Sequence, residues 1–524
     1  MTAVKSLVKK NTFYDSLTLM RISKKAAFEI KDVSQAVAVM ASDVNKDMLE
    51  SVGLLTDEIK DAGPNDLVIS IEIENATDAD SAIERIEKMF VEARSSKTTE
   101  TLPRNIESAY EQLSNANMVV ISVPGEYATL ETKKALDIGL NVLLFSDNVS
   151  IEDELELKKI ARDKDLLMMG PGCGTSIING AALGFANVVE RGPIGVIAAA
   201  GTGVQEVTTL IHQAGSGISH AIGTGGRDLY DDIGGIMMSK GVQMLEKDAE
   251  TKVIVLISKP PGPKTQKTIL ETNFSKPVVV CFMGGDLSDL KDTNVLPTET
   301  LEDAAMAAVA LVKNEVPKTV IFSNSNEVLD IAKQEWSKLK AEQKYVRGLY
   351  SGGTVCSECF IILSKFLNVY SNTTKSEFKL PDIKNSKEHT CLDMGEEEFT
   401  QGRAHPMIDP LFRQQRLIQE AKDSECAVIL LDVVIGYGSH DDPAGELAKS
   451  IQEAKSFCEK EGRYLSVVAS VLGTDKDPQG LKDQMDKLIN AGVVVMESNA
   501  QAVRIAALIA TRGDVLKEFQ GDVN

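Results

Sequence analysis

The stretch Ile194-Gly-Val-Ile-Ala-Ala-Ala-Gly201-Thr202-Gly203-Val-Gln-Glu206 decides how this chain is read. An apolar run, IGVIAAA, meets a Gly-Thr-Gly turn, and an apolar helical pattern then passes through Val204, Val207, Leu210 and Ile211. That order predicts a buried parallel strand, a tight turn and a helix N-terminus. A helix start presents unpaired N–H groups and the positive end of the helix dipole, which suits an anion. Glycine lets the backbone approach a ligand with no Cβ in between.

The layout recurs at Arg347-Gly-Leu-Tyr-Ser351-Gly352-Gly353-Thr354-Val-Cys356-Ser-Glu358. Matching blocks follow each copy. After the first come His220-Ala-Ile-Gly-Thr-Gly225-Gly226-Arg227-Asp228, the helical pattern GGIMMSKGVQMLEKD and the strand KVIVLIS. After the second come His389-Thr-Cys-Leu-Asp, Gly402-Arg403-Ala-His405-Pro406, the helical pattern LFRQQRLIQEAKD and the strand AVILLDVV. An internal duplication of one α/β unit is the economical reading, over 192–315 and 316–524, with an insertion near 368–388 in the second copy.

The chain has 524 residues, room for three or four domains that each bury a core. Its net charge of −21, from 77 acidic and 56 basic residues, opposes nucleic acid or an anionic membrane as a partner. Small anions remain open, because local helix ends and arginines decide those. No apolar run has bilayer length, and the first residues lack a signal-peptide core. Seven cysteines in a chain this long make no disulfide framework, so a cytoplasmic protein is expected.

Residues 1–97 read as a small α+β unit: strand SLTLMRIS, helix, strand AVAVMAS, helix, strand DLVISIEIE, and helix DADSAIERIEKMF. A polar link, ARSSKTTETLPRN, leads on. Over 98–191 strands MVVISVP, NVLLFS and LLMMG alternate with helical patterns, the mark of a Rossmann-like parallel sheet. The fold class is therefore α/β, with a Rossmann-like domain, two flavodoxin-like repeats and the N-terminal unit.

The run from Val123-Pro-Gly125 through Gly170-Pro-Gly-Cys-Gly174 to Gly223-Thr-Gly-Gly-Arg227-Asp228 resembles the alpha subunit of succinyl-CoA synthetase over about 105–285. The whole layout, with GLYSGGT, FTQGRAHPMIDP and DVVIGYGSHDDPA, is similar to the FdrA family. That resemblance implies CoA-ligase-type repeats and a subunit of an oxamate carbamoyltransferase in allantoin breakdown, working with two companion proteins. Carbamoyl phosphate or phosphate, and oxamate or oxalurate, would be its small-molecule partners. An acyl-CoA synthetase subunit and a non-catalytic scaffold are the alternatives. Two departures from the synthetases stand out. Residues 1–60 hold no Gly-rich CoA loop, and FMGGDLSDLKDTNVLPTET has no histidine where a phosphorylated one is expected. No cofactor, neither CoA nor ATP, is expected.

The site residues follow from these motifs. Gly201, Thr202 and Gly203 are expected to face Ser351, Gly352, Gly353 and Thr354 across a phosphate-sized gap. Gly225, Gly226 and Asp228 belong to the loop that surrounds ligand in the resembled family. Arg227 and Arg403, one per repeat, suit bidentate binding of phosphate and carboxylate. Of the five histidines, His405 beside Arg403 is the favoured general acid or ligand donor, with His440 a second candidate. His212, His220 and His389 read as structural. Cys356 and Cys359 have redox spacing at a helix start, yet Cys356 reads better as a pocket wall. No spacing supports a metal site.

Overall fold

This computed structural model describes residues 3–95, 103–285, 294–374, 376–400 and 403–520. Most of the polar link and residues 286–293 of the segment expected to lack a catalytic histidine lie outside these. One compact unit comprises residues 1–102 with 394–412, and the other residues 103–393 with 413–524.

In the first unit, strands β1 (Ala3–Lys9), β2 (Val33–Met40) and β3 (Leu67–Ile73) form an antiparallel sheet of order β1-β3-β2. Helices α1 (Ser16–Glu29) and α4 (Ala79–Ser95) share a core with one face. Helices α2 (Asp43–Ser51) and α3 (Asp57–Lys60) contribute to a second core, with Val37 and Val68. The expected strand SLTLMRIS is the body of α1. Buried Leu19, Ile22 and Ala26 recur at helical spacing, and the Asp15 carboxylate accepts the Thr18 N–H at 2.9 Å. Period and cap together override the β-branched look of the run.

The second unit begins with α5 (Ile106–Gln112). A three-stranded parallel sheet follows, β4 (Met118–Ile121), β5 (Asn141–Leu144) and β6 (Met168–Met169), with α6 (Gly125–Asp137) and α7 (Ile151–Asp163) between the strands. A hairpin, β7 (Thr175–Ile178) and β8 (Ala181–Gly184), joins the edge of the next sheet. That sheet holds β9 (Arg191–Ala199), β10 (Ile218–Gly223), β11 (Val253–Ser258), β12 (Val278–Phe282) and β13 (Val295–Pro297). Helices α8 (Gly201–Gln213), α9 (Ile236–Lys247), α10 (Pro263–Leu270) and α11 (Leu301–Val312) belong to it.

After α12 (Ser325–Trp336) the second repeat runs β14 (Tyr345–Tyr350), α13 (Gly353–Ser364), β15 (Val369–Ser371) and β16 (His389–Asp393). The short α14 (Glu397–Thr400) belongs to the first unit. The repeat continues with α15 (Leu411–Lys422), β17 (Cys426–Val434), α16 (Pro443–Lys460), β18 (Ser466–Leu472), α17 (Leu481–Asn490), β19 (Val494–Met496) and α18 (Asn499–Ala510). The terminal helix is α19 (Leu516–Gln520).

The duplication is plain in the strand orders. The parallel core of the first sheet reads β10-β9-β11-β12-β13, and that of the second β16-β14-β17-β18-β19. Both are the flavodoxin-like order, with the first strand central and its crevice at the carboxyl ends of the strands. Strands β11 and β17 are buried at every residue, as parallel strands covered on both faces must be. The insertion expected near 368–388 is the edge strand β15 and the loop leading to β16, and residues 394–412 form a further insertion assigned to the first unit.

The smaller sheet is locked to the first repeat by an ion cluster. Lys158 on α7 has no solvent exposure and donates to Glu154 at 2.7 Å, Asp228 at 2.8 Å and the Thr224 carbonyl at 3.0 Å. Removing a buried cation leaves its carboxylates uncompensated. Lys158→Ala is therefore expected to lower unfolding free energy by about 3–5 kcal/mol in urea titrations, and a loss below about 1 kcal/mol would contradict this cluster.

Candidate functional site at two meeting helix starts

Helices α8 and α13 begin at the carboxyl ends of the central strands β9 and β14 and meet start to start. The Thr354 N–H donates to Thr202 Oγ1 at 3.1 Å. A Cβ at Gly203 would stand 2.9 Å from the Thr354 methyl, and one at Gly352 only 2.6 Å from the Thr202 methyl. Glycine is required at both places because the opposite threonine fills the space. Gly201, Thr202 and Gly203 thus do face Ser351, Gly352, Gly353 and Thr354, but in van der Waals contact, leaving no phosphate-sized gap between the threonines.

The two starts differ in what meets their donors. At α13, the buried Asp432 carboxylate accepts the Ser351 N–H at 2.8 Å, the Ser351 hydroxyl at 2.9 Å and the Gly352 N–H at 2.8 Å. Arg413, also buried, pairs with Asp432 at 2.6 Å and fixes it. These donors are engaged within the chain. At α8, by contrast, no acceptor among the described residues meets the N–H groups of Gly201, Thr202 and Gly203, and Gly201 is exposed.

Beside Gly353 stand Asp393, at the end of β16, and Lys259, just after β11, whose charged groups are 4.0 Å apart. Asp393 is buried and Lys259 half-buried. Gly353 and the Lys259 ammonium therefore lie together at the α13 start, where a helix dipole and a cation converge, and Gly201 is the exposed end of the adjoining α8. Sequence reasoning missed Lys259, Asp393, Asp432 and Arg413. A signal existed for Asp432, because an ionisable residue inside AVILLDVV is out of place in a doubly covered strand.

Several expected site residues do other work. Arg227 donates through Nε to Glu154 at 2.9 Å and through Nη2 to the Val149 carbonyl at 2.7 Å, so its fork faces α7 rather than the helix starts. Asp228 pairs with Lys158 and accepts the Met238 N–H at 2.8 Å, capping α9. Gly225, at φ +90°, is needed because a Cβ would lie 2.5 Å from the Pro171 carbonyl oxygen, while Gly226 is exposed with open space beside it. Arg403 lies in the first unit, where Nε donates to Asn45 at 2.8 Å and the guanidinium stacks 4.2 Å over Phe412. Burial pulls it down to about 10. It is therefore not the second repeat's counterpart of Arg227, as the shared Gly-Arg spelling implied.

All five histidines accept a backbone N–H at Nδ1. The donors are Glu190 for His212, Asn179 for His220, Val346 for His389, Met407 for His405 and Asp442 for His440. His405 belongs to the first unit. His389 is held down to about 4 by burial and by Arg347. The turn after His440 is a capped helix start, with Asp442 accepting the Gly445 N–H at 3.1 Å. Cys356 is wholly buried in α13, and burial with nearby Asp393 pushes its thiol up, so it is neither a thiolate nor an open pocket wall. Cys359 lies instead 3.1 Å from Cys391.

One relative spans the whole chain, the "Uncharacterized protein YahF" of Escherichia coli (strain K12), 44% identical over 518 residues, 98% of this chain and 99% of that one. The chain belongs to the YahF family. Its parts match a "CoA binding domain" at 189–284, "CoA-ligase" at 349–509, and "AllF, heavy metal-associated domain" at 1–105. Succinate–CoA ligase [ADP-forming] subunit alpha 1 of Archaeoglobus fulgidus is 28% identical over 176 residues, 33% of this chain. The chain spans about three-fifths, 59%, of that relative's length. The ATP citrate lyase of Methanothrix soehngenii aligns over 80% of this chain and 85% of its own at 13% identity, with a TM-score of 0.35. The chain thus carries a succinyl-CoA-synthetase-like pair of domains behind an AllF-type module. No helix among the described residues is long and apolar enough to cross a membrane.

A heavy-metal role does not fit the residues present. Residues 1–105 contain no cysteine and no histidine, the first unit's one histidine is His405, and no cluster of three metal-binding side chains occurs among the described residues. At Gly125, where α6 starts, a Cβ would run into the carbonyl oxygens of Asp147 and Asn148, so packing of the chain itself requires glycine there.

The threonine–glycine interlock makes a sharp prediction. Gly352→Ala is expected to force α8 and α13 apart and lower stability by about 1–3 kcal/mol, measured by thermal and urea unfolding. An unchanged melting profile would mean the starts do not touch.

Proposed function

We propose that this chain is a group-transfer subunit that holds a mixed anhydride of phosphate, an acyl or carbamoyl phosphate, on the open flank of the two helix starts. The observations that carry this are the open α8 donors and, at the α13 start that touches them, Lys259 beside Gly353, without a histidine to carry a phosphoryl group there. The phosphate would lie against the Gly201 and Gly203 N–H groups, with Lys259 neutralising its second charge. Gly353 would add the dipole of α13. Asp393 would hold Lys259 in place and yield it when the anion arrives.

The favoured chemistry is carbamoyl transfer between oxalurate and phosphate, as the FdrA resemblance implies and the AllF-type module supports. A phosphate oxygen attacks the carbamoyl carbon, and the bond from that carbon to the oxamate nitrogen breaks. A proton then goes to the leaving nitrogen, giving oxamate and carbamoyl phosphate. Two companion subunits would complete the site, supplying the oxamate carboxylate's cation and the proton donor. A second reading, an acid–thiol ligase subunit, is the one the CoA-ligase family matches favour. It would place the CoA site in a companion.

One assay separates them: the chain with its companions, given carbamoyl phosphate and oxamate, or alternatively succinate, CoA and ATP. Carbamoyl transfer is expected in the first mixture, and thioester formation confined to the second would overturn it. Lys259→Ala should lower kcat/KM at least about a hundredfold with folding intact, the scale of a lost charge-assisted contact. Arg227→Ala should instead lower the melting temperature. Activity of Lys259→Ala within about threefold of wild type would remove Lys259 from the site.

A further inference from the structure

Five residues below each helix start stands a buried glutamate, Glu206 on α8 and Glu358 on α13, and each reaches across to the other repeat. Glu206 accepts the Asn499 N–H at 2.9 Å, at the first turn of α18, the helix that follows the last strand of the second repeat. Glu358 accepts the Leu301 N–H at 2.7 Å, at the first turn of α11, the last helix of the first repeat. The two repeats therefore cap each other's closing helices by exchange. Asn499 ties the pair together, donating through Nδ2 to Glu358 at 2.7 Å.

The charge balance of this cluster is poor. Glu206 and Glu358 repel one another, and Glu302, Asp303 and Asp432 add negative potential from α11 and β17. Arg504 on α18 faces the cluster from 3.9 Å off Glu302, but its guanidinium also donates to the Val320 and Ile321 carbonyls. Burial and these like charges push Glu206 up to about 8 and Glu302 to about 7, and raise Glu358. Independently of charge, the buried Asn499 Oδ1 accepts nothing from any described group. A buried acceptor without a donor is costly, and a carboxyl proton would satisfy it.

We propose that Glu206, Glu358 and Asn499 form a proton-held latch between the repeats, closed while one proton resides on the pair and released when it is lost. With the proton present, each carboxyl caps a helix of the opposite repeat and Asn499 Oδ1 gains its donor. With the proton gone, two full charges are buried side by side, and the crossing that presses α8 and α13 together weakens. This latch does not depend on which group the chain transfers.

The sign of the pH effect follows from the raised carboxyl of Glu206. Its stabilising proton is fully bound below the unfolded value near 4.5 and is lost as pH rises through about 8. Between pH 7 and 9, with Glu302 contributing at the lower end, the melting temperature of the whole chain should fall by about 1 °C. Glu206→Gln, which keeps an acceptor for the Asn499 N–H and offers an amide donor, should flatten that slope. Infrared difference spectra of the wild type labelled with 13C-glutamate should lose a protonated-carboxyl band over the same interval. A pH-independent melt, a wild-type slope in Glu206→Gln, or the absence of that band at pH 7 would each overturn the latch. The infrared measurement needs no variant and decides alone if Glu206→Gln does not fold.

Discussion

Two helix starts pressed against each other are an electrostatic conflict, because each carries a positive dipole end and unpaired N–H donors. The chain resolves the conflict asymmetrically. Asp432 takes the donors of the turn before α13, Thr202 takes the Thr354 N–H, and the α8 donors stay open. The glycines at 203 and 352 follow from this contact rather than from turn geometry, since each faces the other repeat's threonine. Much of the unusual polar burial in the second unit lies close around it, including Arg413 behind Asp432 and the glutamate pair one turn further down.

That asymmetry distinguishes a start whose preceding turn is held by a carboxylate, with Lys259 beside Gly353, from one whose own first donors meet no acceptor among the described residues. The repeats share a fold and a strand order, yet the duplication has not kept two equivalent sites. The shared Gly-Arg spelling misleads for the same reason, because equal spelling in the two copies does not place side chains in equal surroundings. Arg227 is drawn to Glu154 on the smaller sheet, and Arg403 belongs to a different unit.

The N-terminal module shows a related separation of fold from chemistry. Its antiparallel sheet is covered by helices on both faces, but residues 1–105 contain no cysteine or histidine with which to hold a heavy metal, and the inserted residues 394–412 add only His405. Residues 394–412 of the second repeat belong with it and bring Arg403 to Asn45. Function in a chain of this kind is decided by sites, not by the modules that carry them.

By itself the sequence determined the α/β class, the duplication and the central strand–turn–helix of each copy, because buried parallel strands and helical periods are local patterns that side-chain size enforces. It also determined that Gly201–Gly203 and Gly352–Gly353 start helices. The strand assigned to SLTLMRIS failed where a cap at Asp15 and a spacing of three and four outweighed a short apolar run. Only the tertiary structure decided what meets each helix start. Asp432, Asp393, Lys259 and Thr202 come from four separate segments, and the Glu206–Asn499–Glu358 exchange links positions 293 and 141 residues apart. Hydrogen bonds and charge pairs at that separation have no period and no spacing rule. They exist because folding brings the carboxyl ends of two parallel sheets face to face.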